Sequence, residues 1–267
     1  MSTFDSATLP PVKNVVIAGG GTAGWMAAIA LVKLLGKSLN ITLVESKDIG
    51  IIGVGEATIP PIRTFHKLLN IDEKAFMKAT QATFKLGIEF EGWREENHSY
   101  IHSFGVTGRE CWAGEFHHFW LRAQKLGFGG EFGDYCPELQ AAKANKFFTN
   151  ESMPLNFAYH FDAVAYGRFL RTLATEAGVH HIVGNITNVS KCSQTGNITS
   201  LEVDESQEVN GDFFIDCTGF QGLLIEQALH TGYDNWSHYL PCDSAVAMQT
   251  ETVAAPVPYT KSSAHKA

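Results

Sequence analysis

The sequence predicts an α/β fold that begins with a Rossmann-like βαβ unit. Three patterns predict it: an apolar run at 13–18 typical of a buried strand, a helical pattern over 22–35 that stops at Gly36, and a second apolar run at 41–45. The chain has 267 residues, of which 45% are hydrophobic, so it is long enough to bury a sizeable core. We therefore expect one large core over 13–267.

A glycine-rich turn joins the first predicted strand to the helix. Gly19, Gly21 and Gly24 have the GxGxxG spacing. The first glycine permits a tight turn, the second lets the backbone approach a phosphate, and the third lets the helix pack closely on the strand. The N–H groups at the helix start can bind a diphosphate, and Glu45, at the end of the second strand, can accept ribose hydroxyls. The unit is therefore predicted to bind an adenine dinucleotide, with an ordinary glycine turn as the alternative.

The next segment is irregular, and two helices are expected after it. Residues 49–61 are rich in glycine and end in two prolines, a composition that excludes a regular helix or a central strand. The prolines open a predicted helix that runs to Leu69. Asp72 is a candidate N-cap of a second helix, which we expect to extend to about Leu86.

An aromatic-rich insertion is predicted to follow these helices. Residues 88–150 contain many aromatic side chains and glycines and have weak periodicity. This composition predicts a loop-rich segment that lines a cavity on the substrate side, with an aromatic core patch as the alternative. Regular structure is expected to resume at Phe161, with Asp162 as the N-cap of a helix that Gly178 ends.

Alternating apolar segments in the second half predict strands. Residues 182–189 and 198–203 predict a β-meander, and 212–216 predict a final buried strand. This order resembles the split architecture of FAD-binding oxidoreductases, in which a late strand completes the N-terminal nucleotide-binding unit. The nucleotide-binding core would then consist of segments at about 13–60 and 160–230.

The ends of the chain carry weaker signals. Residues 1–12 are polar and predict a tail, and a short helix is expected to end at Ala228. Residues 245–250 form a candidate strand, whereas 254–267 are small, polar and interrupted by prolines. Because no capping element is evident there, we expect a fold that is incomplete at its C-terminus.

Composition argues against several classes of partner. The chain has 20 basic and 28 acidic residues, a net charge of −8, and no cluster of Lys and Arg suited to nucleic acid. No signal peptide or apolar run of membrane-spanning length is evident, so neither secretion nor membrane insertion is indicated. Five widely spaced cysteines without a CxxC pair indicate reduced thiols in a cytoplasmic protein, and the histidine spacing does not predict a metal site.

Several segments together carry a family resemblance. They are GGGTAGWMAA at 19–28, GVGEATIP at 53–60, TFK at 83–85, HSFG at 102–105, HFDA at 160–163, IDCTGF at 215–220 and CDSAVA at 242–247. Their combination closely resembles the flavin-dependent tryptophan halogenases, and the likeness extends from residue 13 to about 260. The glycine turn alone would fit many flavoproteins, but the GVGEATIP segment followed by Phe-Lys is specific to this family.

The resemblance implies a cofactor and a site for it. FAD, used as FADH2, would lie along the first βαβ unit, with the diphosphate at the glycine turn, the adenosine ribose at Glu45, the flavin end near Glu56 and Ala57, and the adenine near Val189. A separate flavin reductase would supply the reduced flavin. The implied cofactor-binding residues are Gly19, Gly21, Thr22, Ala23, Gly24, Glu45, Glu56, Ala57 and Val189.

The resemblance also implies a reaction. Reduced flavin and O2 would give a flavin hydroperoxide, which chloride or bromide attacks, and the resulting hypohalous acid would pass through a tunnel to a lysine that Lys85 matches. The lysine would present electrophilic halogen to tryptophan or another indole. Periodicity alone would instead make Lys85 a solvated residue at a helix end. The implied substrate-binding residues are Ile59, Pro60, His102 and Phe104, although ordinary packing explains the last two equally well.

The resemblance covers only part of the family's pattern. Full-length members are about twice this long, and their GWxWxIP segment, catalytic glutamate and halide-binding loop would follow residue 267. We therefore expect little or no turnover from these 267 residues alone. A flavin-binding remnant without halogenase turnover and an aromatic flavin monooxygenase stay open as alternatives, as do the ring position, the halide and a homodimeric state.

Overall fold

The structure is a computed structural model, and it describes residues 11–47, 56–149, 152–248, 251 and 254–265. These residues form thirteen β-strands and six α-helices. The strands are β1 Asn14–Ala18, β2 Asn40–Glu45, β3 Glu56–Ala57, β4 Thr83–Lys85, β5 Gly87–Glu91, β6 Ser99–Ser103, β7 Ala158–Phe161, β8 His180–Val183, β9 Ile186–Lys191, β10 Ile198–Val203, β11 Gln207–Asn210, β12 Phe213–Asp216 and β13 Thr260–Ser263. The α-helices are α1 Thr22–Leu35, α2 Pro61–Leu68, α3 Glu73–Thr80, α4 Phe116–Lys125, α5 Pro137–Lys143 and α6 Ala163–Glu176.

The chain divides into two compact units. The first unit draws its described residues from 1–54 and 163–246, and the second from 55–162 and 247–267. Each unit therefore contains two separate stretches of the chain, so residues that are distant in sequence build one local structure.

A four-stranded parallel sheet organises the first unit. Its order is β12-β1-β2-β8, with Ile17 of β1 opposite Leu43 of β2 and Ile215 of β12. Ile17 and Leu43 are fully buried, as expected for a parallel sheet covered by helices. The prediction of β1, α1 and β2 is confirmed, and β12 completes the sheet from the far end of the sequence as expected.

The predicted β-meander is partly wrong. The segment expected to be one strand at 182–189 splits into β8, which pairs with β2, and β9, which pairs with β10. The chain turns between them because Gly184 lies against β10: a Cβ there would lie 2.5 Å from Cγ1 of Val203. The antiparallel sheet is β11-β10-β9, and β11 was not expected. Apolar residues of both sheets share one core, made of Val16, Ala18, Val44, Ile182, Leu201, Val203, Val209 and Leu224.

The second unit contains two three-stranded sheets. Their orders are β13-β5-β6 and β3-β7-β4. Within the described residues 88–149, most of β5, all of β6, and helices α4 and α5 are joined by long irregular stretches, so the segment is loop-rich as expected but also contains regular elements that were not predicted. Its weak periodicity arises because the elements are short and mostly half-exposed, so no single period dominates.

The helix expected from Asp72 to Leu86 is shorter than predicted. Asp72 is the N-cap, and its carboxylate accepts the backbone N–H of Ala75 at 2.7 Å, which confirms the start. The helix α3 ends at Thr80, because Gln81 adopts a left-handed φ of 54°. The next residues form β4, which pairs with β7, a strand about seventy-five residues further along the chain. Local periodicity does not reveal such a distant partner.

The C-terminal part of the chain also departs from expectation. Of the candidate strand at 245–250, the described residues 245–248 belong to no strand, and the other two lie outside the described residues. Thr260–Ser263, in a stretch expected to lack regular structure, instead forms β13 and pairs in parallel with β5. The predicted short helix near Ala228 is present as a wide π-helical turn, Leu223–Ala228.

The carboxylate of Asp216 organises the turn that follows β12. It accepts hydrogen bonds from the backbone N–H and hydroxyl of Thr218 at 2.9 and 2.6 Å, and from the N–H groups of Leu224 and Ile225 at 2.8 and 2.9 Å. Burial alone would raise the pKa of this carboxyl, but these four donors outweigh burial and lower its pKa below the ordinary value.

We predict that Asp216→Asn lowers the free energy of unfolding at pH 7 by about 1–2 kcal/mol, because a charge-assisted acceptor is lost at a partly exposed site. A depressed carboxyl pKa stabilises the fold above the unfolded pKa of about 3.9, and this contribution disappears as the pH falls through the folded pKa. The difference between variant and wild type in urea unfolding should therefore shrink toward pH 3. Asp234→Asn, at an exposed aspartate, is the control. A difference that is constant with pH would contradict this account.

Two glycines of the first turn should respond differently to a methyl group. In Gly24→Ala the new Cβ would lie 1.9 Å from the carbonyl oxygen of Gly19, whereas a Cβ on Gly21 meets no heavy atom within 4 Å. We predict that Gly24→Ala lowers the free energy of unfolding by about 1–3 kcal/mol, while Gly21→Ala costs less than about 1 kcal/mol. Chemical denaturation measures both, and equal losses would show that the helix does not pack on the turn as described.

Candidate functional site

The glycine turn of the first unit is shaped by close backbone contacts. Gly19 has a φ of 108°, and a Cβ at this position would lie 2.3 Å from the carbonyl oxygen of Cys217. Gly24 lies in α1, against the carbonyl of Gly19. These contacts bring the start of α1 next to the ends of β1 and β12. Protein atoms alone therefore account for the absence of side chains at Gly19 and Gly24.

Contacts with protein atoms do not explain why residue 21 is a glycine. Gly21 is the N-cap of α1 in an extended conformation, and a Cβ there would meet open space. The first N–H groups of a helix, here those of Thr22 and Ala23 with Gly24, have no partner within the helix and form the positive end of its dipole. An open space beside unpaired donors suits an anion such as a diphosphate, so the residues present fit a dinucleotide cofactor.

Glu45 lies beside this turn but also contacts basic groups. Its carboxylate oxygen Oε2 is 2.8 Å from Nε2 of His181, without the alignment of a hydrogen bond, and 3.7 Å from Nη1 of Arg171. A Cβ on Gly20 would lie within 2.5 Å of the Glu45 side chain, which explains the glycine at position 20. The carboxylate is one-fifth exposed. Its predicted contact with a ribose stays a prediction.

The other predicted cofactor residues lie in different places. Val189 of β9 is opposite Leu201 and packs against the core of the first unit. Ala57 of β3, in the second unit, is opposite His160 of β7. The backbone of Glu56 pairs with Phe161, but its side chain lies outside the described residues, as does the glycine-rich stretch 48–55. A role for these residues at a cofactor stays a prediction.

The second unit places Lys85 on a strand. Lys85 of β4 is opposite Ala158 of β7, and Thr83 is opposite His160. Because paired residues in a sheet lie on the same face and successive residues alternate, Lys85 and His160 share one face. The opposite face carries Phe84 with the aromatic residues of β7. The expectation from periodicity of a solvated lysine at a helix end is therefore wrong.

The Lys85 ammonium lies in a largely dry environment. Only 2% of the residue is exposed, and Nζ lies 5.4 Å from the centre of the Phe104 ring, within range of a cation–π interaction. Burial lowers the pKa of Lys85 below the ordinary lysine value, because a charged amine loses its hydration. The structure thus places a positive group with increased acidity against an aromatic wall.

His160 is a neighbour of Lys85 that the sequence analysis did not single out. Its Nε2 lies 2.9 Å from the hydroxyl of Thr260 in β13. Burial and, secondly, the positive charge of Lys85 lower the pKa of His160 to about 4. The imidazole is therefore neutral near pH 7 and adds no second positive charge. In the sequence, His160 appears only as part of the HFDA segment at 160–163, which carries the family resemblance.

Aromatic packing supports the opposite face of the β3-β7-β4 sheet. Phe76 of α3 packs edge-to-face on Tyr159 and Phe161, with ring centres 5.0 and 5.4 Å apart. The Tyr159 hydroxyl donates to the carboxylate of Glu73. Burial, followed by the Glu73 hydrogen bond and charge, raises the pKa of Tyr159, so this hydroxyl stays protonated. Strand β7, which pairs with the strand of Lys85, is therefore packed against aromatic side chains on its opposite face.

The predicted substrate-binding residues have different environments. Phe104 is half-buried and contacts Lys85, whereas His102 of β6 is exposed and lies opposite Ile88 of β5. Ile59 is 58% exposed, and Pro60 is the N-cap of α2. The structure therefore brings one of the four, Phe104, against the predicted catalytic lysine.

A cavity of about 870 Å³ lies in the second unit. Aromatic side chains from α4 and the following 3₁₀ turn, Phe116 and Phe132, line it together with charged residues. Its volume is in the range of small-molecule sites. Most of its lining residues belong to the aromatic-rich insertion, and its place on the substrate side stays a prediction.

The described part of the chain contains neither a metal-binding cluster nor a membrane-spanning helix. Among 11–47, 56–149, 152–248, 251 and 254–265, no three His, Cys, Asp or Glu side chains group in a way that could hold a metal ion. Within the same ranges, no helix has the length and apolar character needed to cross a membrane.

Comparison with known proteins gives consistent results. Residues 14–267 match the tryptophan halogenase family. The chain is 38% identical over 259 residues to the 7-chloro-L-tryptophan 6-halogenase KtzR of Kutzneria sp. (strain 744), covering 88% of this chain and 50% of that protein. It is 35% identical to the tryptophan 6-halogenase SttH of Streptomyces toxytricini, covering 95% of this chain and 53% of SttH.

Solved structures agree with these sequence matches. Xcc4156, a flavin-dependent halogenase from Xanthomonas campestris, is 54% identical with a TM-score of 0.90 and matches 97% of this chain and 52% of its own. BrvH, a flavin-dependent halogenase from Brevundimonas sp. BAL3, is 37% identical with a TM-score of 0.85, over 97% of this chain and 53% of its own. The chain spans about half the length of these relatives.

We predict that replacing the buried amine changes stability in a pH-dependent way. A lysine whose pKa is lowered in the folded state has its full destabilising effect below that folded pKa, and the effect shrinks as the pH rises from the folded pKa toward the unfolded value of about 10.4. Lys85→Met should therefore raise the free energy of unfolding at pH 7 by on the order of 1 kcal/mol, and the gain should shrink through the alkaline range and be absent above about pH 10.4.

Thermal unfolding monitored by circular dichroism at several pH values measures this gain. Lys78→Met, at an exposed lysine of α3, is the matched control and should show no such trend. A loss of stability for Lys85→Met at neutral pH would mean that the ammonium makes favourable contacts that outweigh its dehydration.

Proposed function

We propose that this chain, which belongs to the tryptophan halogenase family, contributes the flavin site and the halogen-presenting lysine of an enzyme that halogenates an aromatic substrate, tryptophan or another indole. The observation that carries the proposal is the burial of Lys85 beside Phe104. A dry amine against an aromatic wall suits the transfer of an electrophile to an aromatic ring.

The first unit is proposed to hold FAD. The N–H groups at the start of α1 would bind the diphosphate, and Gly21 would leave room for it, because a Cβ there would occupy open space. Glu45 would accept the adenosine ribose hydroxyls, and Val189 would lie on the adenine side. Bound and reduced, FAD would supply two of the four electrons that reduce O2; halide would supply the other two and become hypohalous acid, and the second oxygen atom would leave as water. The relatives Xcc4156 and BrvH are described as flavin-dependent.

Lys85 is proposed to present the halogen. Its ammonium would donate a hydrogen bond to the oxygen of hypohalous acid and withdraw electron density from the halogen. Because burial lowers its pKa, Lys85 would also reach the neutral amine, which can accept the halogen directly, more readily than an exposed lysine. The fixed position of the amine, rather than its intrinsic reactivity, would select the ring carbon.

The neighbours of Lys85 are proposed to keep this site dry and singly charged. Phe104 would cover the amine and flank the substrate ring, with Ile59, Pro60 and His102 as further contacts. His160 stays neutral, so it adds no second positive charge beside Lys85. A second positive charge would repel a cationic reaction intermediate. Phe104 and the aromatic side chains behind β7 reduce the access of water to the amine.

The partners follow from the same proposal. A separate flavin reductase would deliver reduced FAD, chloride or bromide and O2 would be co-substrates, and a small aromatic molecule would be the acceptor. All five cysteines are free thiols, which suits a cytoplasmic enzyme. A homodimer is compatible with the proposal and is not required by it. We expect the 267 residues alone to show little or no turnover, since the relatives are about twice as long.

The test uses the complete protein with a flavin reductase, NADH, FAD, bromide and tryptophan. Mass spectrometry should find a product in which bromine replaces hydrogen. Lys85→Met should reduce the rate by about a hundredfold or more, because the halogen loses its positioned partner. Lys78→Met, which removes an exposed lysine from α3, should leave the rate unchanged.

Other outcomes identify the alternatives. Addition of oxygen instead of bromine would indicate an aromatic flavin monooxygenase. Tight FAD binding without any product, from tryptophan or from free indole, would indicate a flavin-binding remnant. Either result would overturn the proposed halogenation.

A further inference from the structure

A buried carboxylate lies close to the segment that carries Phe104. Glu138, in the first turn of α5, is only 4% exposed. Its Oε1 accepts the backbone N–H of Asn156 at 2.7 Å, and its Oε2 lies 3.7 Å from the thiol of Cys136. Cys136 is 1% exposed, and its sulfur is 3.3 Å from the hydroxyl of Ser103 in β6. These polar groups connect α5 to the end of β6.

Gly105 lies directly on this pair of side chains. A Cβ on Gly105 would lie 2.0 Å from Oε2 of Glu138 and 2.6 Å from Sγ of Cys136. The φ of Gly105 is not in the left-handed region, so the contact rather than the backbone conformation requires a glycine. The carboxylate and the thiol therefore form the surface on which this backbone rests.

The neighbouring residue, Phe104, is fixed from the other side by the strand of Lys85. The N–H of Phe104 donates to the carbonyl of Leu86, the residue after Lys85, at 2.8 Å. The N–H of Leu86 in turn donates to the carbonyl of Pro258 at 2.7 Å. Phe104 thus lies between two fixed contacts, and its ring centre is 5.4 Å from Nζ of Lys85.

Burying a carboxylate at this position costs free energy unless its charge or its shape makes favourable contacts. Removing a carboxylate from water costs several kcal/mol, and an apolar side chain could fill the same space. An acid in the first turn of a helix also gains from the helix dipole, but only about 0.3–1 kcal/mol. The contacts of Glu138 are aimed instead at the backbone of Asn156 and at Gly105.

We propose that Glu138, acting with Cys136, is a positioning residue that holds Phe104 over the Lys85 amine and thereby sets where the aromatic substrate meets the halogen. The inference rests on the proposed function for its catalytic part, but the contact itself does not. Glu138 touches neither substrate nor cofactor in this account. It acts through Gly105 and Phe104.

The test compares Glu138→Ala with Glu138→Gln. Glutamine retains the oxygen that accepts the Asn156 N–H and a similar volume against Gly105, so it should preserve the position of Phe104. Alanine removes both. Glu95→Ala, at an exposed glutamate of the same unit that does not line the cavity, is the matched control.

The first readout is independent of catalysis. An amine-reactive reagent is applied briefly at one pH, and mass spectrometry measures modification of Lys85 relative to the exposed Lys125. If Phe104 covers the amine because Glu138 holds it, Glu138→Ala should increase labelling of Lys85 about tenfold. Glu138→Gln and Glu95→Ala should remain within about twofold of the wild type.

The second readout separates halide oxidation from transfer to the ring. In the complete protein with reductase, a scavenger dye traps hypohalous acid that is not passed on, and product is measured in parallel. Glu138→Ala should lower the yield of halogenated product per hypohalous acid formed about tenfold and raise KM for the aromatic substrate. The rate of halide oxidation should stay within twofold, which a general loss of folding would not produce.

The outcomes are distinguishable. Unchanged Lys85 labelling in folded Glu138→Ala overturns the proposal. If that variant does not fold, Gly105→Ala displaces the same backbone from the opposite side, and unchanged labelling there overturns it equally. If labelling rises but the wild type makes no halogenated product, the positioning contact stands and the proposed function fails.

Discussion

The burial of one ammonium group constrains most of the second unit. Lys85 is 2% exposed although β4 is an edge strand, so the surrounding elements must exclude solvent and still tolerate a charge. They do so with a neutral His160 on the same face, an aromatic ring at 5.4 Å, and apolar packing behind β7. Each of these features is separate in sequence, and the pairing of β4 with β7 brings them together.

The glycine turn of the first unit is constrained differently, by close contacts between backbone segments. At Gly19 and Gly24 no side chain fits, because the carbonyls of Cys217 and Gly19 lie where a Cβ would be. Gly21, in contrast, faces open space at the positive end of α1. In the proposed function the first unit would bind the diphosphate of the cofactor at this turn, and the second unit would present the halogen from its buried amine.

The sequence predicted best what depends on local chemistry. The apolar strands β1 and β2, the helix α1 and the N-cap at Asp72 follow from short-range patterns and appear as expected. The strand environment of Lys85 could not be read in this way, because it depends on β7, whose sequence is distant. The family resemblance identified Lys85, but only the structure shows that this residue is buried. Glu138 and Cys136 gave no sequence signal, since an acid after a proline is an ordinary helix start.

The most direct measurement of the central claim is the titration of each lysine side chain by NMR, using chain labelled with ¹³C and ¹⁵N at lysine. The account predicts one resonance, absent from the spectrum of Lys85→Met, that titrates clearly below the exposed lysines, whose pKa values lie near 10.4. If the resonance of Lys85 titrates together with the exposed lysines, the amine is hydrated, and the account of a dry halogen-presenting lysine is contradicted.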